Sequence, residues 1–114
     1  MKDCLFCKIV RGEIPSAKLY EDEYMLAFKD IAPKAPVHFL VIPKKHIVNL
    51  MEMDEADAAL MGKLLWRAQL VAKELGLGEK GARFVFNCKD DGGQTVDHAH
   101  LHVLGGRGLQ WPPG

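Results

Sequence analysis

The chain has 114 residues, 48% of them apolar and 26% charged, with 15 Lys and Arg against 15 Asp and Glu. One domain over 1–114 with a modest core suits that length, and zero formal charge argues against long nucleic acid as the main partner. No apolar run reaches membrane-spanning length and Met1-Lys2-Asp3-Cys4 is not expected to open a signal peptide, so no membrane partner is expected, and three cysteines, which cannot all pair within the chain, point to a reducing, cytoplasmic setting.

Cys4-Leu5-Phe6-Cys7-Lys8-Ile9-Val10 sets a Cys-x-x-Cys pair in an apolar stretch suited to one or two helical turns, which Ile14-Pro15 breaks. Lys18–Tyr20 and Tyr24–Phe28 read as strands about the charged turn Glu21-Asp22-Glu23. A proline-punctuated loop from Asp30 to Pro36 leads into Val37–Ile42, the most hydrophobic strand, ended by Pro43 just before Lys44-Lys45-His46. Asp54, with Asp57 three residues on, is a good N-cap, and a helix is predicted to run to Gly76. Leu60, Leu64, Ala68, Val71 and Leu75 make one apolar stripe on it. Met61, Leu65, Trp66 and Ala72 widen that stripe beyond what a small domain covers, which predicts a partner subunit on the second face. Ala82–Asn87 is the fourth strand. Cys88 to Thr95, with Asp91-Gly92-Gly93, is longer than a hairpin needs and reads as a binding loop. The sum is α+β, a five-stranded, mostly antiparallel sheet with one short and one long helix.

The fifth strand, Val96 to Leu104, carries the chemistry. His98, His100 and His102 fall at every second position, so one strand face is expected to present three imidazoles roughly 6.6–7 Å apart. Such a cluster suits acid–base, nucleophilic or metal chemistry. The central His100 is the best placed nucleophile towards phosphorus. Gly93 and Gly105 permit close backbone approach of an anion, and Asn87, Gln94 and Thr95 add neutral polar groups at the same end. No dinucleotide or P-loop glycine motif is present. Cys4 and Cys7 have the spacing of half a tetrahedral zinc site, and histidines two apart can share a zinc. A thioredoxin-like redox pair is the other reading, without the strand-turn-helix context it needs.

These residues resemble a known family. His98-Ala99-His100-Leu101-His102-Val103-Leu104 matches the histidine triad pattern, His-φ-His-φ-His-φ-φ with φ apolar. Ile42-Pro43-Lys44-Lys45-His46, Asp91-Gly92-Gly93-Gln94-Thr95, Gly105-Gly106-Arg107 and Trp111-Pro112-Pro113-Gly114 are similar to the Hint branch of histidine triad nucleotide-binding proteins, over Phe6 to Gly114. The resemblance implies a HIT-like fold and a homodimer whose subunits each bind a purine nucleoside monophosphate. It implies a nucleoside phosphoramidase that cleaves the P–N bond of adenosine 5′-phosphoramidates of the AMP-lysine type. His100 would attack phosphorus and form a nucleotidyl-imidazole, His102 and Asn87 would contact the phosphate, and His98 and His46 would complete the catalytic set. Gly93, Gln94, Thr95 and Val96 would cradle the phosphate, and Asp30 would accept from the ribose hydroxyls. Phe6, Ile9, Phe28 and Ile31 would surround the base, and Trp111 would reach the partner's site. No cofactor is implied for catalysis. The Cys4–Cys7 pair resembles bacterial relatives in which it ligates zinc. With His46 and His98 it would hold a structural zinc, and it suggests a prokaryotic protein. The alternative is a purine nucleotide-binding regulatory or interaction protein whose hydrolysis is incidental.

Overall fold

The structure, a computed structural model, describes residues 4–114. Met1, Lys2 and Asp3, part of the N-terminus read above for a leader, lie outside the described residues. In chain order the elements are α1 (Leu5–Val10), β1 (Lys18–Glu21), β2 (Met25–Lys29), β3 (Val37–Pro43), α2 (Ala58–Glu74), β4 (Ala82–Phe86), α3 (Lys89–Gly92) and β5 (Leu101–Gly105). The strands form one sheet in the order β1-β2-β3-β5-β4, and every neighbouring pair is antiparallel. This is the expected α+β architecture.

Alternation along the strands gives the sheet two faces. Met25, Ala27, Phe39, Val41, Leu101 and Val103 pack against Leu64, Ala68, Val71 and Ala72 of α2. Leu26, Phe28, Leu40 and Ile42 turn the other way and meet Phe6 and Ile9 of α1. α2 has 17 residues and α1 only 6, so the second face is only partly covered. That uncovered part is where His100 and His102 lie.

The predicted long helix is present with shifted ends. Asp54 and Asp57 form the expected reciprocal cap, but on a 3₁₀ turn over Glu55–Asp57 that leads into α2. The helix stops at Glu74, short of Gly76, which takes a left-handed φ of +85°. Ala72 joins the buried stripe instead of widening the outer face.

The larger departure is at the histidines. Strand geometry predicted from Val96 begins only at Leu101. Val41 faces Leu101 in the register, so two positions further on Pro43 would pair with Ala99, and Pro43 has no N–H to give. Ala99 N–H donates instead to the Ile47 carbonyl at 2.6 Å, and His98 N–H closes a turn onto the Val96 carbonyl at 2.8 Å. The binding loop also differs, since Cys88–Thr95 contains the single turn α3, ended by Gly93 at φ +76°. Gly105 serves the core, where a Cβ would sit 2.7 Å from Leu77 Cδ2. Its missing side chain admits a leucine, not an anion.

Candidate functional site

A cleft of about 370 Å³ opens on the α1 face. α1 contributes Phe6 and Ile9, β2 contributes Phe28, and the loop after β2 contributes Asp30 and Ile31. Thr95 and Val96 come from the segment before the histidines, and His100 and His102 close the wall. Asn87, Gly93, Gln94 and Trp111 are not among the lining residues. Asn87 follows Phe86, whose pairing with Leu101 is the last of the β4–β5 ladder. The Gln94 side chain ties its own loop down, accepting from Lys89 N–H at 2.9 Å and donating to the Val48 and Val96 carbonyls at 2.8 and 2.9 Å. Trp111 lies in the exposed C-terminal tail.

Hydrogen bonds fix which nitrogen of each imidazole carries the proton. His100 Nδ1 is 2.7 Å from the His98 carbonyl oxygen. A carbonyl only accepts, so His100 is protonated on Nδ1 and its Nε2 keeps a lone pair. Burial draws the His100 pKa down, which keeps that nitrogen bare at neutral pH. Phe6 packs edge-on against His100 and His98, with centroids 5.0 and 5.9 Å away, and holds both rings in place.

His102 has the opposite tautomer. Lys34 N–H donates to His38 Nδ1 at 3.0 Å, so neutral His38 carries its proton on Nε2. That proton faces His102 Nδ1 at 2.9 Å and Asp30 Oδ2 at 3.3 Å. His102 therefore accepts on Nδ1 and carries its own proton on Nε2. Burial, followed by the neighbouring His100 and His38, lowers the His102 pKa to about 4, with Asp30 opposing. The His100 and His102 rings are 4.9 Å apart, so a bare nitrogen and an N–H donor stand side by side. The sequence reading passes over His38. The signal for it was parity, because His38 alternates with Leu40 in the most hydrophobic strand and Leu40 faces His102 in the register.

His46 and His98 belong to a second centre. Cys4 Sγ is 3.4 Å from His98 Nδ1, and Cys7 Sγ is 3.2 Å from His46 Nδ1 and 3.6 Å from His98 Nδ1. All four donor atoms lie within 4.8 Å of one another. His98 Nε2 donates to the Pro43 carbonyl at 2.8 Å, which leaves a lone pair on the Nδ1 that faces the sulfurs. Burial pushes the Cys7 thiol pKa up, with Cys4 adding to the shift. A cation among these donors would favour the thiolates. Tetrahedral zinc with bonds of about 2.0–2.3 Å spaces its ligands roughly 3.3–3.8 Å apart, and the three sulfur–nitrogen separations of 3.4, 3.2 and 3.6 Å lie in or close to that range. The four residues could hold a metal ion such as zinc in a closed, structural arrangement.

Asp30, His38 and His102 also converge, but their proton positions are wrong for a cation. Lys34 N–H occupies His38 Nδ1, so the His38 nitrogen facing the trio bears a hydrogen. That trio suits proton handling. One contact joins the two centres: the main-chain oxygen of His98, whose side chain faces the cysteines, holds the His100 ring.

The HIT domain matches residues 11–109, which include the whole histidine stretch. The chain belongs to the HIT family. This HIT protein is 53% identical over 113 residues to an uncharacterised HIT-like protein of Synechococcus elongatus, spanning 99% of this chain and 98% of that one. It superimposes on a HIT family hydrolase from Legionella pneumophila with a TM-score of 0.96 and 52% identity, over 98% of this chain and 100% of that one. A histidine triad nucleotide-binding protein from Candida albicans is similar at a TM-score of 0.83 and 34% identity, over 96% and 83% of the two chains. No helix among the described residues of this HIT protein is long and apolar enough to cross a membrane.

Proposed function

We propose that this HIT protein is a Hint-type purine nucleoside phosphoramidase, hydrolysing P–N bonds through a nucleotidyl-histidine. The observation that carries the reading is the pair of opposed tautomers, a bare His100 Nε2 beside the His102 N–H at the wall of an apolar cleft. Binding alone has no use for a nucleophile. The hydrolase from Legionella pneumophila and the nucleotide-binding protein from Candida albicans support the same reading by similarity.

The substrate lies with its phosphoryl group at His100 and His102, its ribose at Asp30, and its base among Phe6, Ile9, Phe28 and Ile31. Its negative charge offsets the desolvation that keeps His102 neutral, so His102 takes up a proton with the substrate. The added proton goes to His102 Nδ1, and the His38 Nε2–H that this nitrogen had accepted turns to Asp30 Oδ2, 3.3 Å away, whose carboxylate balances the new charge. His100 Nε2 attacks phosphorus, the P–N bond breaks, and the amine leaves with the His102 Nε2 proton. Water then attacks the nucleotidyl-imidazole, gives a proton to His102 and releases the nucleoside monophosphate. Zinc on Cys4, Cys7, His46 and His98 would supply a structural tie between α1 and the histidine stretch.

The same reading includes a homodimer. Leu65, Trp66 and Phe84 remain 50%, 55% and 39% exposed and line one shallow recess with Gly62 and Gln69, beside the edge strand β4. A second copy on this surface would cover it and bring Trp111 towards the neighbouring cleft. Light scattering at micromolar concentration is expected to give twice the chain mass.

Turnover of a fluorogenic adenosine phosphoramidate tests the activity, with an acid-quenched sample expected to carry one adenylyl group on the His100 peptide. Folded protein that binds AMP but does not turn the substrate over would leave the nucleotide-binding alternative in its place.

A further inference from the structure

Ser16 Oγ is buried with no hydrogen-bond partner, and Ser16 lines the cleft. An orphaned hydroxyl is uncommon in a folded protein and calls for a partner. No group among the described residues holds it in its present rotamer, and Ser16 borders open space on the cleft side. Rotation about χ1 between staggered wells brings a hydroxyl from one to the other at little cost.

Its place in the sheet says what that partner is. His102, Leu40, Phe28 and Lys18 are successive register partners across β5, β3, β2 and β1. Three interstrand spacings separate the first from the last, roughly 14 Å, and Ser16 precedes Lys18 by two residues. The strand pairing fastens this segment to the sheet, because Lys29 N–H donates to the Ala17 carbonyl at 3.0 Å. Between the two ends the wall is Phe28 and Leu40, with Ile9 and Ile14 alongside. A ligand whose phosphate meets His100 and His102 thus crosses an apolar floor before it reaches a hydroxyl.

We propose that Ser16 reads the nucleobase, its hydroxyl hydrogen-bonding to the heteroatom edge of a purine. This rests on the nucleotide reading of the cleft given above. A hydroxyl both donates and accepts, so it serves a 6-amino and a 6-oxo purine alike. A nucleoside monophosphate with a two-ring base spans the distance from the histidines once a hydrogen bond is added at each end. A single-ring base falls short and leaves Ser16 unpaired, so the residue selects by reach.

The test is calorimetric titration of the full chain with AMP, UMP and ribose 5-phosphate, for wild type, Ser16→Ala and Ser16→Thr. Wild type is expected to prefer AMP. Ser16→Ala should weaken AMP by about 5–30-fold and leave UMP and ribose 5-phosphate within about twofold, while Ser16→Thr, which keeps the hydroxyl, retains most of the AMP affinity. An unchanged melting temperature in Ser16→Ala excludes a folding defect. Unchanged AMP affinity in Ser16→Ala, or equal weakening of all three ligands, overturns the proposal. Absence of phosphoramidate turnover with this ligand pattern intact would overturn the phosphoramidase reading and support the role of Ser16.

Discussion

The two faces of the sheet come from the same strands, yet they do different work. Residues of β3 and β5 that point to α2 are Phe39, Val41, Leu101 and Val103, all buried hydrocarbon. Their alternating neighbours on the α1 side run from Leu40 and Ile42 to His38 and His102. The α2 face is closed by a helix of 17 residues, whereas α1, with 6, leaves room for a cleft. The difference teaches that stability and chemistry are separable here by the parity of a residue. A change on the α2 side should act on folding, and one on the α1 side on reaction, with the cysteine centre as the link between them.

The strongest test removes the nucleophile. His100→Ala is expected to lower phosphoramidate turnover by at least about 10³-fold, with AMP binding and thermal stability nearly intact. Near-normal turnover would end the covalent route. The matching test on the other face is Leu64→Ala, which empties a site of 0% exposure. It should destabilise the fold by about 2–5 kcal/mol without altering kcat or KM at temperatures where the protein is folded. Altered kinetics with unchanged stability in denaturant would collapse the separation of the faces.

Between these lies the metal centre. Chelation of protein purified without chelator, or Cys4→Ser, is expected to lower the melting temperature by at least about 5 °C, with one zinc per chain by elemental analysis beforehand. Metal-free protein of unchanged stability would reduce the four donors to ordinary packing.

The smallest effect is on pH dependence. His102 titrates at about 4 in the fold and near 6.5 when unfolded. Between those values the unfolded chain binds the extra proton, so stability rises with pH. The melting temperature should therefore be level above about pH 6.5 and decline as pH falls towards 4. Burial also lowers the pKa of His98, to about 4, and of His100, His46 and His38, so His102→Asn should make the decline shallower without abolishing it, and an unchanged slope in the variant would assign it to those groups alone.

What the sequence made legible follows the same division. The α2 face could be read from spacing alone, because Leu64, Ala68 and Val71 repeat at helical intervals and the strands alternate. The triad and the cysteine pair were legible as chemistry, and the resemblance already grouped Cys4, Cys7, His46 and His98 apart from His100, as they are grouped in the structure. His98 looks like a strand residue in sequence, but Pro43 offers no N–H across the ladder and the backbone N–H groups of Ala99 and His98 bond to Ile47 and Val96 instead. His38 was hidden because one histidine in a hydrophobic strand signals nothing until its cross-strand neighbour is known. Gln94 reads as a ligand-binding amide, although three loop groups occupy it. Gly105 reads as an opening for an anion, and its space is filled by Leu77.

In the proposed covalent mechanism, the bond from His100 Nδ1 to the His98 carbonyl would decide the fate of the adduct as well as its formation. Phosphorus on Nε2, with the other nitrogen's proton held by an acceptor that cannot give one back, makes a cationic phosphoimidazolium. A neutral phosphoimidazole could persist as a stable phosphohistidine, whereas the cation parts readily from phosphorus because its leaving group is neutral imidazole. On the proposed mechanism the carbonyl would act as a timer. It would keep the adduct in its charged, labile form until water arrives, so that the protein would not stall as a nucleotidylated end product.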